Sequence, residues 1–164
     1  MTVSPDHRIA LRRAAVHDVR AIAEFQTRCW AEAYRGLVPQ DYLDRMTVKE
    51  RETRWRGRLI ARNYRVMLAE LAGALVGVAS ARRAHVIGAP ALELKTLYVS
   101  AGQRGHGLAA ALTDATIGTA PAHLWMFADN PRAGAFYAKQ GFRPDGHRKV
   151  DPDTGLWEIR LVRE

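Results

Sequence analysis

The order apolar strand, glycine-bearing turn, apolar helix over residues 92–117 constrains this chain more than any other feature of its sequence. Leu92, Leu94, Leu97, Tyr98 and Val99 give a strand-like run, Arg104-Gly105-His106-Gly107-Leu108-Ala109 gives the turn, and residues 107–117 continue as a helix. The first-turn amides of a helix have no intrahelical partners, and the helix dipole adds partial positive charge there. Glycine lets such backbone approach a bound group closely. The pattern predicts an anion site of the kind that takes a phosphate. A glycine pair before a helix is equally what a tight turn requires.

Hydrophobic spacing on either side predicts one domain over residues 1–164, with no repeat or low-complexity tract. A strand over 8–12 puts Ile9 and Leu11 on one face and Arg8 and Arg12 on the other. From Asp18 onward, Val19, Ile22, Ala23, Gln26, Cys29, Trp30 and Ala33 recur at helical spacing, closing near Gly36. A short helix carries Tyr42, Leu43 and Met46, and Thr47 caps another with Glu50 at capping-box spacing. Residues 64–70 and 74–80 read as a hairpin turning at Ala72-Gly73. Residues 123–128 read as a buried strand, and Asn130-Pro131 as the start of a helix that Gly141 closes. Residues 142–143 and 156–162 supply two last strands about a turn at 151–155.

Lysine and arginine number 25 against 17 aspartates and glutamates, a formal charge of +8. That balance suits a polyanionic partner. The arginines are scattered and form no helix-turn-helix, zinc-finger or aromatic RNP pattern, so nucleic acid is not the expected partner. A cofactor with several phosphates accounts for a positive cleft equally well, and a solvated arginine-rich surface accounts for many of the charges. Cys29, the single cysteine, lies in an apolar helical stretch and reads as a small buried hydrophobe. The N-terminal residues lack the apolar region of a signal peptide and no run reaches membrane-spanning length, so a soluble, cytoplasmic protein is expected. Histidine, cysteine and carboxylate residues show no ligand spacing, and no metal is implied.

In its wider context the glycine segment resembles the cofactor motif of the GNAT superfamily of acyl-CoA N-acetyltransferases. Arg104 to Ala109 match the family's Q/R-x-x-G-x-G/A pattern at every fixed position. Downstream, residues 130–142 are similar to the family's second cofactor segment, N-x-x-A-x-x-F-Y-x-x-x-G-F, through Asn130, Ala133, Phe136, Tyr137, Gly141 and Phe142. Upstream, Trp30, Tyr34, the run Gly36-Leu37-Val38-Pro39, Tyr42, Leu43 and Trp55 resemble the acceptor-site wall of many bacterial members.

The resemblance implies an α/β (α+β) fold: a mixed, mostly antiparallel twisted sheet with a splayed central strand pair, flanked by helices. It implies acetyl-CoA as acyl donor and an amine-bearing acceptor, and it makes a homodimer an expectation too. Backbone groups of Leu97, Tyr98 and Val99 would meet the pantetheine arm, and Arg104, Gly105, His106, Gly107, Leu108 and Ala109 the pyrophosphate. Asn130 and Ala133 would contribute to the same cofactor site, although N-capping alone also explains Asn130. Tyr137 is the expected acid for the departing thiolate, against its alternative as half of a Phe136-Tyr137 aromatic pair. Glu93 is the expected general base, with Asp129, His123 or unassisted water as alternatives and a surface pairing with Lys95 as its structural reading. Trp30, Tyr34 and Glu93 are the expected acceptor-binding residues, although core packing also suits the aromatic ones. A second class that the same residues allow is a non-catalytic acyl-CoA-binding regulatory or interaction module.

Overall fold

The computed structural model describes residues 8–164, so readings on residues 1–7, His7 among them, lie outside it. Seven strands form one sheet in the order β1-β2-β3-β4-β5-β7-β6. They are β1 (Ala10–Arg13), β2 (Tyr64–Leu71), β3 (Ala74–Arg83), β4 (Leu92–Val99), β5 (Ala122–Phe127), β6 (Arg143–Val150) and β7 (Trp157–Arg163). Between them run α1 (Val19–Ala33), α2 (Gln40–Arg45), α3 (Val48–Ile60), α4 (Leu108–Ile117) and α5 (Pro131–Lys139). Every neighbouring pair is antiparallel except β4 and β5, which run parallel. This is the expected mixed, mostly antiparallel sheet flanked by helices.

Strand alternation sorts the core onto two faces. Val66, Leu68 and Val78 pack with Ile22, Phe25, Cys29 and Trp55 of α1 and α3. On the opposite face Ala69 and Ala79 pack with Leu108 and Leu112 of α4, while Leu94 and Leu124 pack with Ile117, Ala133 and Tyr137. Thr47 caps α3 as its sequence position predicts, its hydroxyl accepting from the Glu50 amide at 3.2 Å.

Three boundaries differ from expectation. The first strand begins at Ala10, and Leu11 is 40% exposed because β1 is the outer strand, at the edge of the face that α4 covers. β6 extends from Arg143 to Val150, far beyond the two residues expected, although all of it is exposed. An exposed edge strand carries little apolar periodicity to read, and its pairing with β7 is what holds it. Within β4, Ala81 pairs with Leu94 and Ser80 with Thr96, so Lys95 is an extra, bulged residue. The bulge places Glu93 on the face of Thr96 and Tyr98, and it breaks the simple Glu93-Lys95 parity that alternation predicts.

The start of α1 is tied to the sheet by charge. Asp18 accepts from both terminal nitrogens of Arg12, at 2.9 and 2.8 Å, and from the Ala15 amide at 2.8 Å. Arg12 also reaches Glu70 at 2.7 Å. The Arg12 hydrogen bonds hold the Asp18 carboxyl below its usual range. A depressed carboxylate contributes stability that is complete above its unfolded pKa, about 3.9, and is lost as pH falls through its folded value. Asp18→Asn is therefore expected to lower stability by about 1–2 kcal/mol at neutral pH. Denaturant unfolding should show this gap between the two proteins shrinking below pH ~4.

Candidate active site

The parallel strands β4 and β5 share a single register pair, Glu93 with His123, and then separate. Beyond that point the β4 edge facing β5 has no strand partner. Backbone polar groups left this way require another partner. They border a cleft of about 890 Å³ lined by Leu97, Tyr98 and Val99 from β4, by the turn before α4, and by α1 and α5.

At one end of the cleft is the start of α4. Gly107 is its N-cap at φ 84°, a left-handed conformation that disfavours any side chain with a Cβ. No side chain caps this helix, so the amides of its first turn stay free for a ligand. Arg104, Gly105, Gly107, Leu108 and Ala109 all line the cleft, with Gln103 and Ala110, which sequence reasoning did not single out. His106 is exposed and its side chain is not part of the lining. Free amides, a helix dipole and Arg104 around one opening suit a pyrophosphate.

Along the other side, α5 delivers Asn130, Ala133 and Tyr137 to the same cleft, with Arg132 and Phe136. The Asn130 side chain accepts from the Ala133 amide at 3.2 Å, so it caps α5 and borders the cleft at once. Helix α5 ends in a Schellman motif, with the Gly141 amide bonded to the Ala138 carbonyl at 3.1 Å and the Phe142 amide to the Tyr137 carbonyl at 3.0 Å. The hydrophobic contact that accompanies this motif is Tyr137 against Phe142, ring centroids 5.9 Å apart. Tyr137 also meets Phe136 at 5.2 Å, so its ring is held on two sides. Its hydroxyl has no hydrogen-bond partner among the described residues. Desolvation, with the nearby Tyr98, pushes the phenol pKa well above its ordinary value and keeps it protonated.

Of the aromatic residues expected at an acceptor site, Tyr34 lines the cleft whereas Trp30 stands behind it, its indole donating to the Tyr98 hydroxyl at 2.8 Å. Cys29 borders the cleft too, but burial pushes its thiol up to about 11, as befits an unreactive hydrophobe.

Glu93 lies at the point where β4 and β5 last touch, outside the cleft lining. It is 3% exposed, and its carboxylate accepts from Arg82 Nε at 2.7 Å with Lys95 Nζ at 3.7 Å. The expected pairing with Lys95 thus exists, between a buried carboxylate and an exposed lysine. Burial alone would raise the Glu93 pKa, but the Arg82 hydrogen bond and the charges of Lys95 and Arg82 outweigh it and hold the group below its usual range. Its register partner His123 is wholly buried, with Nδ1 2.6 Å from the Pro90 carbonyl and Nε2 without a partner among the described residues. The carbonyl assigns the ring proton to Nδ1.

A second carboxylate, unmarked in the sequence, is Glu158 on β7. It pairs in register with Phe127, whose ring packs 5.4 Å from that of Tyr34. Lys149 Nζ lies 3.5 Å from it, yet burial and the proximity of Asp151 leave its pKa raised. No local motif marks Glu158, and only the β5-β7 register brings it beside the aromatic wall.

Residues 19–142 match the Acetyltransferase (GNAT) family. The chain belongs to that family. It is similar to the PaiA N-acetyltransferase of Thermoplasma acidophilum in complex with coenzyme A, at 14% identity and TM-score 0.74 over 96% of this chain and 99% of that one. It is likewise similar to YncA of Salmonella typhimurium, solved with its cofactor acetyl-CoA, at 18% identity and TM-score 0.69 over 96% and 94% of the two chains. A curated relative, the uncharacterized N-acetyltransferase YuaI of Bacillus subtilis, is 32% identical over 50 residues, which are 30% of this chain and 29% of its own length. The match to that relative therefore spans under a third of either protein. Among the described residues no helix is long and apolar enough to cross a membrane.

Gly141, at φ 89°, is the residue on which the Schellman motif turns, and an added Cβ would meet Arg163 Cδ at 3.3 Å. Gly141→Ala is expected to cost about 1–2 kcal/mol from the left-handed backbone alone. Thermal unfolding should show a Tm lower by a few degrees.

Proposed function

We propose that the chain transfers an acetyl group from acetyl-CoA to a primary amine of a small molecule or peptide, by direct attack in a ternary complex. The observation that carries this reading is the convergence, on one cleft, of uncapped α4 amides and the unpartnered hydroxyl of Tyr137. Backbone groups of Leu97, Tyr98 and Val99 freed by the β4-β5 separation suit a pantetheine amide chain between those two points.

Bound there, acetyl-CoA would supply an electrophilic thioester carbon and a leaving thiolate. Tyr137 keeps its proton throughout the neutral range and offers it to the departing sulfur. Its ring, clamped between Phe136 and Phe142, turns little, which fixes where that proton is delivered. Tyr34 lines the cleft with its ring 5.4 Å from that of Phe127, which supports an aromatic wall on the acceptor side. Glu93 is the proposed base, ionised by Arg82 and Lys95 and drawing the amine's proton through water. Glu158, with its raised pKa beside the aromatic wall, is the competing base on the acceptor side.

Acetyl-CoA should raise the Tm of the protein, and a panel of amines followed by coenzyme A thiol release should reveal turnover. Tyr137→Phe is expected to reduce kcat about 10²–10⁴-fold while acetyl-CoA binding persists. Full activity in that variant on a good acceptor would remove the proposed acid. Glu93→Gln and Glu158→Gln compared in pH-rate profiles identify the base as the residue whose loss removes the acidic limb. Binding without thiol release from any acceptor would favour the non-catalytic module, and failure to bind acyl-CoA would overturn the reading.

A further inference from the structure

The last turn of α3 lays one arginine over the sheet. Arg58 is half-buried, its Nη1 donating to Thr96 Oγ1 of β4 at 3.4 Å and its Cζ 4.7 Å from the centre of the Trp55 ring. Nε and Nη2 have no acceptor among the described residues. Both are open to solvent, because the unpartnered side-chain atoms sealed from it among those residues belong to Arg51, Ser80 and His123 alone. Burial, with repulsion from Arg54 and Arg82, holds the Arg58 pKa below its usual value, and the groups that counter it are the Tyr64 and Tyr98 phenols rather than an acid.

Thr96 lies between Glu93 and Tyr98 on one face of β4. Glu93 is the proposed base, and Tyr98 lines the cofactor cleft. Arg58 thus stands over the stretch that acyl transfer gives to the attacking amine. The neighbouring acids are already matched: Glu93 by Arg82 at 2.7 Å and Lys95 at 3.7 Å, Glu158 by Lys149 at 3.5 Å, and Asp153 by Arg54 at 3.4 Å. Lys95 is exposed, and its ammonium stands beside Glu93, so the approach from solvent is cationic as well. Such a field draws in an acceptor that carries a negative charge and repels one that carries a second positive charge.

We infer that the acceptor is an amine bearing a carboxylate a few bonds from its nitrogen, as a free amino acid does, and that Arg58 binds this carboxylate through Nε and Nη2. The inference rests on the acyl-transfer reading and adds the class of acceptor to it. Nε and Nη2 form the flat edge of a guanidinium, whose parallel N–H bonds match two carboxylate oxygens. Thr96 and Tyr98 are about 7 Å apart along the strand, a span that a small amino acid bridges. The transfer itself is unchanged: the amine nitrogen bonds to the thioester carbon, the C–S bond breaks, the nitrogen gives a proton to the base and the sulfur takes one from Tyr137.

The test measures kcat/KM by coenzyme A thiol release at saturating acetyl-CoA, for free amino acids, for the carboxamides of the same amino acids and for spermidine. The wild type should favour a free amino acid over its carboxamide at least tenfold, although the carboxamide is the weaker base and holds more free amine at a given pH. Arg58→Gln should lower that ratio at least tenfold, mainly through KM, and Arg58→Lys, which keeps the charge without the flat edge, should restore part of it. A rise in Tm with acetyl-CoA checks that each variant is folded, and Arg58→Lys carries the comparison if Arg58→Gln is not. Carboxamides or spermidine used as well as free amino acids would overturn the inference and leave acyl transfer standing, and so would a preference unchanged in the folded variants. Thiol release with no amine at all would overturn the transfer reading itself, and the inference with it.

Discussion

The separation of β4 from β5 governs the rest of this molecule. Two parallel strands that would ordinarily share hydrogen bonds along their length share one register pair and then part. Buried backbone donors and acceptors are costly to leave unmatched, so the opening has to be filled by something with peptide-like polarity. Around that opening the sheet turns α4 and α5 so that one contributes its amino end and the other a face running from Asn130 to Tyr137. Both helices are short, 10 and 9 residues, and depend on packing against the sheet more than on their own propensity. The cleft is thus a consequence of sheet geometry, with the helices as its fittings.

Much of this was legible in the sequence because the decisive signals are local. A glycine that must adopt positive φ, a proline after an asparagine, and a glycine just beyond a helix each announce a backbone conformation within a few residues. Gly107, Asn130 and Gly141 are such residues, and they fix the two helices at the cleft. What escaped was set by register between distant strands. Glu158 reaches the aromatic wall only through its pairing with Phe127, thirty-one positions earlier in the chain. Lys95 is bulged only because β3 skips it, and alternation within β4 gives no hint of that. On the charged helix α3 no sequence signal separates Arg51 from its neighbours, yet the packing of α1 and α2 over it buries it.

Charge is distributed unequally between the two sides of the sheet. On the α4 and α5 side the cofactor cleft relies on backbone amides and a few arginines. On the side of α1 and α3, Glu93, Arg82, Arg58, Lys95, His123, Lys149 and Glu158 form a continuous polar district beside aromatic walls. Glu93 and His123 are buried there, which strengthens the attractions they make and makes an unpaired group expensive. Backbone geometry and side-chain charge thus shape different parts of one small sheet.

The bulge at Lys95 gives this arrangement a modular character. The extra residue resets the phase of β4, so the segment before it and the segment after it answer to separate neighbours. Glu93, before the bulge, pairs with His123 of β5, while Leu97, Tyr98 and Val99, after it, run along the open cleft.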